Sequence, residues 1–329
     1  MKSFTAFVFL VLVVCRAPAR AESPETRPRA ILLTTDTGAD MDDQWVLAHL
    51  VLSPEFDLRG VVTTHTGSYA ILPAPAAEST AGVANQVLDH LQLSKRPPVI
   101  AGSSAPLRAK AEPQRGPGVD FILKTSRGFN RARPLTVLVI GAATDLASAL
   151  LVDPRLAERI EIVAMAFSKW PEGDDIFNVK NDVKAWQVLL ESSAPIVVAD
   201  VAVTLEHSRL TRERARSLCQ KGGEPGGYLA GLLADWLDRQ GDLAQMITHD
   251  RNSWPVWDEG TVAYLLGLAK TEVHPRPRLR DDLKFEHPLA GQSSGPTIRW
   301  ITWINSDKHW EDFSHKLDLA RGGRAAKSK

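Results

Sequence analysis

The chemistry of this chain is concentrated in four aspartates that follow a short apolar run. Ile31–Leu33 is apolar, and Asp36, Asp40, Asp42 and Asp43 all fall within the next ten residues. Carboxylates this close repel one another, and burying them is costly unless a cation or hydrogen-bond donors compensate. The pattern therefore indicates a hard-metal site at the carboxyl end of a strand. A solvated turn followed by an acidic helix N-terminus explains the same residues without a metal.

Four further polar segments are placed to join these aspartates. They are Thr63–Ser68, Gly141–Ala147, Ile176–Asp182 and Ser253–Glu259. The first three follow predicted strands, and in a doubly wound sheet such strand ends converge on one rim. Taken one at a time, each segment also has an ordinary structural explanation, such as a helix cap, a turn or a core aromatic residue.

Taken together, the order and spacing of these motifs resemble the calcium-dependent nucleoside hydrolase family, of the inosine–uridine-preferring type. That family has a strand followed by Asp-x-Asp-x-Gly and Asp-Asp, then Gly-x-x-Thr-Asn-x-Ala, Glu-Phe-Asn with a later Asp-Pro, and a late His-Asp or Trp-Asp. The counterparts here are Asp36, Gly38, Asp42-Asp43, Gly141, Thr144-Asp145-Leu146-Ala147, Phe177-Asn178, Asp182 and Trp257-Asp258. The resemblance covers most of the chain, from about Ala30 to Leu268.

The resemblance implies a calcium site. The side chains of Asp36, Asp43 and Asp258 would bind the ion, and Thr144 would contribute its backbone carbonyl. A set of oxygen ligands suits calcium better than zinc, which prefers nitrogen or sulfur. Asp36 would contact both metal and water, and is the expected general base in cleavage of the N-glycosidic bond.

The resemblance also implies a nucleoside-binding site. Asp42 and Asn178 match positions that hold the ribose 2′- and 3′-hydroxyls, and Met165 matches a methionine that packs by the sugar. Ser68 stands where an asparagine often helps to hold the sugar. The Trp257-Asp258 pair resembles the late motif of the purine-specific branch of the family, in which the tryptophan stacks on the base and favours its departure. A role for Trp257 in the core alone stays open.

The chain departs from the family pattern at several positions. Thr34 replaces the first aspartate, and two extra residues, including Asp40, lengthen the acidic loop. Ile176 replaces the glutamate that reaches the 5′-hydroxyl, and Asp174 or Asp175 is a candidate substitute. These changes suggest altered recognition at the 5′ end of the substrate.

Short apolar runs alternate with helix-like segments, which predicts an α/β fold with a doubly wound, mostly parallel sheet flanked by helices. The predicted strands are Ala30–Thr34, Leu58–Thr63, Val99–Ile100, Leu135–Ile140, Ile160–Ala166 and Ile196–Ala199. The predicted helices lie near Asp43–Leu52, Ala76–Leu91, Ala143–Leu151 and Asp182–Glu191, and Tyr228 to Leu268 predicts a helical C-terminal part. We expect one nucleoside hydrolase-like domain over residues 22–320, followed by a basic disordered tail, residues 321–329.

Residues 1–21 have the pattern of a secretory signal peptide. A basic start precedes the apolar stretch Phe4–Cys15, and Ala19-Arg20-Ala21 is a small-x-small cleavage site. The apolar stretch is short for a membrane span, although an uncleaved anchor stays open. We expect export to the periplasm or the extracellular space after cleavage near Ala21. Cleavage leaves Cys219 as the only cysteine, so no internal disulfide can form.

The charge balance argues against a nucleic-acid or membrane surface. The chain has 39 basic and 39 acidic residues, and loss of the signal peptide leaves 36 basic against 39 acidic, a net charge of −3. We therefore expect a small-molecule nucleoside partner, no nucleic acid, and no membrane contact beyond the signal peptide. A homo-oligomer stays open.

The activity that the resemblance implies is calcium-dependent, purine-leaning hydrolysis of ribonucleosides to base and ribose. Two alternatives stay open: cleavage of another small ribosyl compound or glycoside, and a non-catalytic relative that binds metal and a sugar or nucleoside. An aspartyl phosphatase is excluded, because that class needs Asp-x-Asp-x-Thr after the first strand and Thr34–Gly38 lacks it.

Overall fold

The structure is a computed structural model that describes residues 27–66, 76–175, 177–289 and 295–327, the last seven of these for their backbone alone. The strands are β1 (Arg29–Thr35), β2 (Phe56–Thr63), β3 (Val99–Ala101), β4 (Leu135–Val139), β5 (Ile160–Met165), β6 (Ile196–Ala199), β7 (Arg209–Thr211), β8 (Ser253–Pro255), β9 (Ala269–Pro275), β10 (Arg278–Leu279), β11 (Phe285–Glu286) and β12 (Thr297–Ile304). The α-helices are α1 (Asp42–Leu52), α2 (Ala76–His90), α3 (Pro117–Ser126), α4 (Thr144–Val152), α5 (Asn178–Asn181), α6 (Val183–Glu191), α7 (Val201–His207), α8 (Arg212–Cys219), α9 (Gly223–Thr248), α10 (Glu259–Leu265) and α11 (Ser306–Lys327).

Eight of these strands form one central sheet in the order β3-β2-β1-β4-β5-β6-β12-β9. All neighbours pair in parallel except β12 and β9, which are antiparallel. The order reverses between β1 and β4, so successive crossovers leave this point in opposite directions. In such sheets ligands bind in the crevice outside the carboxyl ends of the two strands at the reversal.

The central strands are buried because helices cover both faces of the sheet. All five residues of β4 and six of the seven in β1 are buried, as expected for near-continuous apolar runs in a parallel sheet. Trp45 and Leu50 of α1 pack into the core on one face, and Leu146 of α4 and Trp186 of α6 pack into the core on the other. Each face thus has its own hydrophobic core, with the sheet between them.

The predicted fold class is confirmed, and two strands of the central sheet that the sequence analysis did not predict follow α10. The six predicted strands and four predicted helices are present, and no end differs from its prediction by more than two residues. The part beyond α10 is not only helical, because β12 adds to the sheet beside β6 and β9 forms its antiparallel edge. In β12, polar residues such as Arg299 alternate with buried apolar ones such as Ile298 and Trp300. That period-two pattern is the signal for a strand, and the sequence prediction did not use it.

The C-terminal end of the described chain is helical, and the predicted N-terminal signal peptide is not described. Helix α11 continues to Lys327, past the start of the predicted disordered tail. The predicted signal peptide lies outside the described residues, so its cleavage stays a prediction. Among the described helices, none is both long enough and apolar enough to cross a membrane.

Candidate active site

The carboxyl ends of β1 and β4 meet where the strand order reverses. Asp36 follows β1 directly, and Gly141 lies two residues after the end of β4. A Cβ atom at Gly141 would lie 2.7 Å from the Asp36 backbone nitrogen and 3.0 Å from Asp36 Oδ1. Only glycine allows this close approach. The turn after β4 therefore packs directly against the Asp36 carboxyl group, at the crevice of the sheet.

Three more carboxyl groups converge at this crevice. Asp42 and Asp43 begin α1, and Asp258 directly precedes α10. One carboxyl oxygen from each of these three lies within 4.8 Å of the others, and all three side chains are buried. We refer to these three residues together with Asp36 as the carboxylate cluster.

Burial and mutual repulsion raise the pKa values of the carboxylate cluster. Burial, followed by the charge of Asp42, raises the pKa of Asp36 to about 8. Burial likewise raises the pKa of Asp42 to about 6. The pKa values of Asp43 and Asp258 stand well above the ordinary value because of burial and the neighbouring aspartates. A cation bound among these groups would remove the repulsion and favour their ionised forms.

Hydroxyl groups on the first strand and its loop fix Asp43. The Thr35 hydroxyl donates to Asp43 Oδ1 and lies 2.8 Å from the Thr37 hydroxyl. Thr34, which replaces the first aspartate of the family pattern, donates from its hydroxyl to the Leu138 carbonyl at 3.3 Å. Thr34 therefore pairs with the neighbouring strand, and the acidic character of the site comes from Asp36 onward.

Thr144 is fixed at the start of α4 by a chain of polar side chains. Its hydroxyl donates to Asp182 Oδ2 at 2.7 Å and lies 3.0 Å from His65 Nε2. Asp182 Oδ2 also accepts from the Leu107 backbone nitrogen at 2.8 Å, and Asp182 Oδ1 accepts from the Ala185 nitrogen at 2.9 Å. These contacts hold the turn whose backbone carbonyl is the predicted metal ligand.

Two predicted sugar-contacting residues lie at the same rim. Asn178 begins α5, and its Nδ2 donates to the Ile140 carbonyl at 3.3 Å and to the Met165 carbonyl at 3.1 Å. Met165 is the last residue of β5 and is buried. The side chain of Asn178 is thus held against the carboxyl ends of β4 and β5.

Aromatic side chains flank the carboxylate cluster. Trp257 directly precedes Asp258 and is half-buried, and its ring meets Trp254 edge-on with 5.8 Å between centroids. Trp254 lies 5.6 Å from Trp236, and its Nε1 donates to Asp40 Oδ2 at 2.7 Å. The extra acidic residue of the long loop is therefore anchored to this aromatic group.

The two candidate substitutes for the glutamate of the 5′ end have other partners. Asp174 forms a surface ion pair with Lys284, with 2.7 Å between Asp174 Oδ2 and Lys284 Nζ. Asp175 is buried, and its carboxyl group accepts hydrogen bonds from the backbone nitrogens of Phe167 and Phe177. Asp174 thus pairs with a lysine at the surface, whereas Asp175 supports the loop and lies near enough to Asp36 for its charge to raise the Asp36 pKa.

Two predicted positions lie outside the described residues, and three buried residues emerge only from the structure. Ser68 and Ile176 are not described, so their roles stay predictions. His49, Glu259 and His309 form a second buried polar group beneath the carboxylate cluster. The sequence contains a weak signal for the first of these, because His49 interrupts an otherwise apolar stretch of α1.

A doubly wound sheet with clustered carboxylates at its reversal point defines an α/β protein with a candidate metal site. Comparison with known proteins narrows this class, because residues 31–311 match the inosine-uridine preferring nucleoside hydrolase family. The chain belongs to this metal-dependent family and is a hydrolase that acts on N-glycosyl compounds.

The chain is similar to individual proteins and solved structures. An uncharacterized protein of Schizosaccharomyces pombe is 29% identical over 72% of this chain and 79% of its own length. The pyrimidine-specific ribonucleoside hydrolase RihA of Salmonella enteritidis is 25% identical over 72% of this chain and 80% of its own. Among solved structures, the purine-preferring ribonucleoside hydrolase from Gardnerella vaginalis has a TM-score of 0.72 and 16% identity over 89% of this chain and 99% of its own.

Proposed function

We propose that this protein is a calcium-dependent hydrolase that cleaves ribonucleosides to free base and ribose. The observation that carries the proposal is the burial of four mutually repelling carboxyl groups in the crevice where α/β sheets bind their ligands. Family membership supplies the bond that is cleaved, since nucleoside hydrolases act on small nucleoside substrates.

The donor set fits calcium. Asp36, Asp43 and Asp258 offer carboxylate oxygens, and the Thr144 carbonyl adds a neutral oxygen. Hard oxygen ligands with flexible carboxylates are typical of calcium sites. When bound, calcium would supply the positive charge that the carboxylate cluster lacks and would help to orient the attacking water.

Asp36 is the proposed general base. Its carboxyl group lies at the end of β1, against the turn after β4, where it faces the crevice from the sheet side. Ionised Asp36 would accept a proton from the attacking water as that water adds to the sugar carbon C1′. The remaining carboxylates would stabilise the positive charge that develops on the ribose ring during departure of the base.

Asp42, Asn178 and Met165 are the proposed ribose contacts, with Ser68 as a further candidate. Asp42 would accept hydrogen bonds from ribose hydroxyls, while Asn178 is braced against the ends of two strands. Met165 would pack against the sugar. Ribose would thereby sit between the carboxylate cluster and the ends of β4 and β5.

We infer that Trp257 stacks on the base and that the enzyme prefers purines. Its position directly before Asp258 and its half-buried ring support this role. Purines offer a larger face for stacking than pyrimidines. The names of similar proteins do not decide the base preference, because one is pyrimidine-specific and another is purine-preferring. The proposed preference for purines therefore depends on Trp257.

The proposal is tested with a panel of inosine, guanosine, adenosine, uridine and cytidine, incubated with enzyme and calcium and assayed for free base and reducing sugar. Release of both products, fastest from purine nucleosides, is the expected result. Faster cleavage of uridine than of inosine would contradict the stacking role of Trp257, while the proposed hydrolysis of nucleosides would still be supported. No release from any nucleoside would favour another ribosyl compound as substrate, or a binding protein.

We also propose that the protein is exported, because residues 1–21 have the composition of a signal peptide. N-terminal sequencing of protein expressed from the full chain tests this. A mature chain that begins near Glu22 is expected, and an intact N-terminus on protein retained in the cytoplasm would contradict export.

A further inference from the structure

A second buried polar group lies beneath the carboxylate cluster and joins three helices. His49 of α1 lies between two carboxylates, with its Nδ1 2.9 Å from Glu259 Oε2 and its Nε2 3.0 Å from Asp312 Oδ2. His309 Nε2 lies 2.9 Å from the same Glu259 oxygen, and Lys316 Nζ lies 2.6 Å from Asp312 Oδ2. We call these five residues the ion network.

The ion network contains charges of both signs. Burial alone would lower the pKa of His49, but the carboxylates of Glu259 and Asp312 outweigh it and raise the pKa. Glu259 and Asp312 each contact one ring nitrogen of His49, so groups that can carry opposite charges face each other. Their attraction offsets the cost of burying them.

The ion network is attached to the helices that carry the carboxylate cluster. Glu259 follows Asp258 directly, so the side chains of adjacent residues serve the two groups. His49 lies on α1, the helix that begins with Asp42 and Asp43. The carboxyl groups at the starts of α1 and α10 lie close together, and the contact between His49 and Glu259 links the same two helices.

We propose that the ion network positions Asp258 against Asp42 and Asp43 and thereby sets the metal affinity of the carboxylate cluster. Glu259 and His49 act as positioning residues, because they reach the metal ligands only through the helices. This inference rests on the proposed function for the presence of a metal. Its physical basis is independent of the substrate.

Contacts between histidines and carboxylates connect the residues of the ion network. One atom each of His49, Glu259 and His309 lies within 4.8 Å of the others, which is close enough for a shared metal ion. Both imidazoles, however, lie at hydrogen-bonding distance from one Glu259 oxygen, and His49 contacts a carboxylate through each nitrogen. His49 is therefore hydrogen-bonded at both ring nitrogens, whereas His309 Nδ1 and Glu259 Oε1 have no hydrogen-bond partner among the described residues.

The test is calcium titration of chelator-stripped full-length protein by calorimetry, comparing the parent with Glu259→Gln. This substitution keeps the shape of the side chain and removes the charge that holds His49. We expect calcium affinity to fall about 10- to 100-fold, the range seen when groups behind metal ligands are changed. Asp312→Asn, at the partly exposed end of the ion network, should lower the affinity by a smaller factor and guards against misfolding of the first variant.

Glu161→Gln is the matched control. It breaks the ion pair between Glu161 and Arg29, which joins β5 to β1 at the opposite end of the strands. It should lower thermal stability and leave calcium affinity unchanged. Folded Glu259→Gln and Asp312→Asn variants that bind calcium as tightly as the parent would overturn the inference. So would a parent protein that holds one equivalent of zinc or another transition metal that the Glu259→Gln variant lacks.

The inference and the proposed function fail in different ways. If the parent binds calcium but cleaves no nucleoside, the proposed function falls and the inference still stands or falls on the affinity of the variants. If the parent cleaves nucleosides but binds no calcium, the inference is overturned and the hydrolase activity remains.

Discussion

The two buried polar groups on α1 are built on opposite electrostatic principles. The carboxylate cluster, at the start of the helix, combines four acids whose burial and mutual repulsion raise their pKa values. The ion network, which α1 joins at His49, alternates carboxylates with cationic side chains. The two groups lie less than two helical turns apart on α1. Because the fold compensates the charges of the ion network but not those of the carboxylate cluster, the carboxylate cluster is the place for an external cation.

The largest expected effect comes from the general base in the carboxylate cluster. Asp36→Asn keeps the size of the side chain but cannot accept the proton of the attacking water. Turnover of inosine should fall by about 10²- to 10⁴-fold with the fold retained. Steady-state kinetics together with circular dichroism measure this, and parental turnover would assign the base to another carboxylate, with Asp40 as the next candidate.

The second prediction compares neighbouring residues that serve the two groups. Without metal, Glu259→Gln breaks a buried ion pair and should lower the free energy of unfolding by about 3–5 kcal/mol. Asp258→Asn removes one of the repelling acids and should raise it, by on the order of 1 kcal/mol for each unit of pKa relieved. Urea unfolding in the presence of a chelator measures both. Equal signs for the two variants would contradict the electrostatic distinction between the groups.

The third prediction concerns the aromatic side of the site. Trp257→Ala should slow the turnover of inosine by raising its activation free energy by about 1–3 kcal/mol, the range for stacking of a base on an aromatic ring. Turnover of uridine should fall less, because its base has a smaller face. The ratio of kcat/KM for the two nucleosides measures the effect. An unchanged ratio would indicate that Trp257 has a structural role in the core and does not stack on the base.

The fourth prediction concerns pH. The raised pKa values mean that the unfolded chain releases the cluster protons at lower pH than the folded protein does. Stability without metal should therefore fall as pH rises from about 4 towards 8, the pKa of Asp36. Calcium favours the ionised forms, so the gain in Tm on adding calcium should increase by a few degrees between pH 5 and pH 8. Thermal scans with and without calcium measure this gain, and a constant gain would argue against binding at these carboxyl groups.

Sequence reasoning predicted that the carboxylates lie near one another, but it did not predict the polar residues of the ion network. Asp36, Asp43 and Asp258 were predicted to converge, because the carboxyl ends of parallel strands share one rim and the motif order matched a family. The contacts of His49 with Glu259 and Asp312 join residues more than 200 positions apart, and no local pattern specifies such pairs. The fates of Asp174 and Asp175 likewise depended on tertiary contacts with Lys284 and with backbone nitrogens.

The fold shows the same division. The buried parallel strands are short apolar runs that a sequence pattern identifies, and all six were predicted. The strands β9 and β12 were not predicted. Strand β9 lies at an edge, where many of its side chains are exposed, and the alternating pattern of β12 was not used. Exposed, alternating strands carry a weaker hydrophobic signal than buried ones.

The most direct test of the central claim is restoration of activity by metal. Protein stripped with a chelator should release no hypoxanthine or ribose from inosine, and calcium should restore full turnover as about one ion per chain is bound. Asp258→Asn should need much more calcium for the same turnover. Undiminished turnover by protein shown by elemental analysis to hold no metal would contradict the claim that the carboxylate cluster works as a metal site.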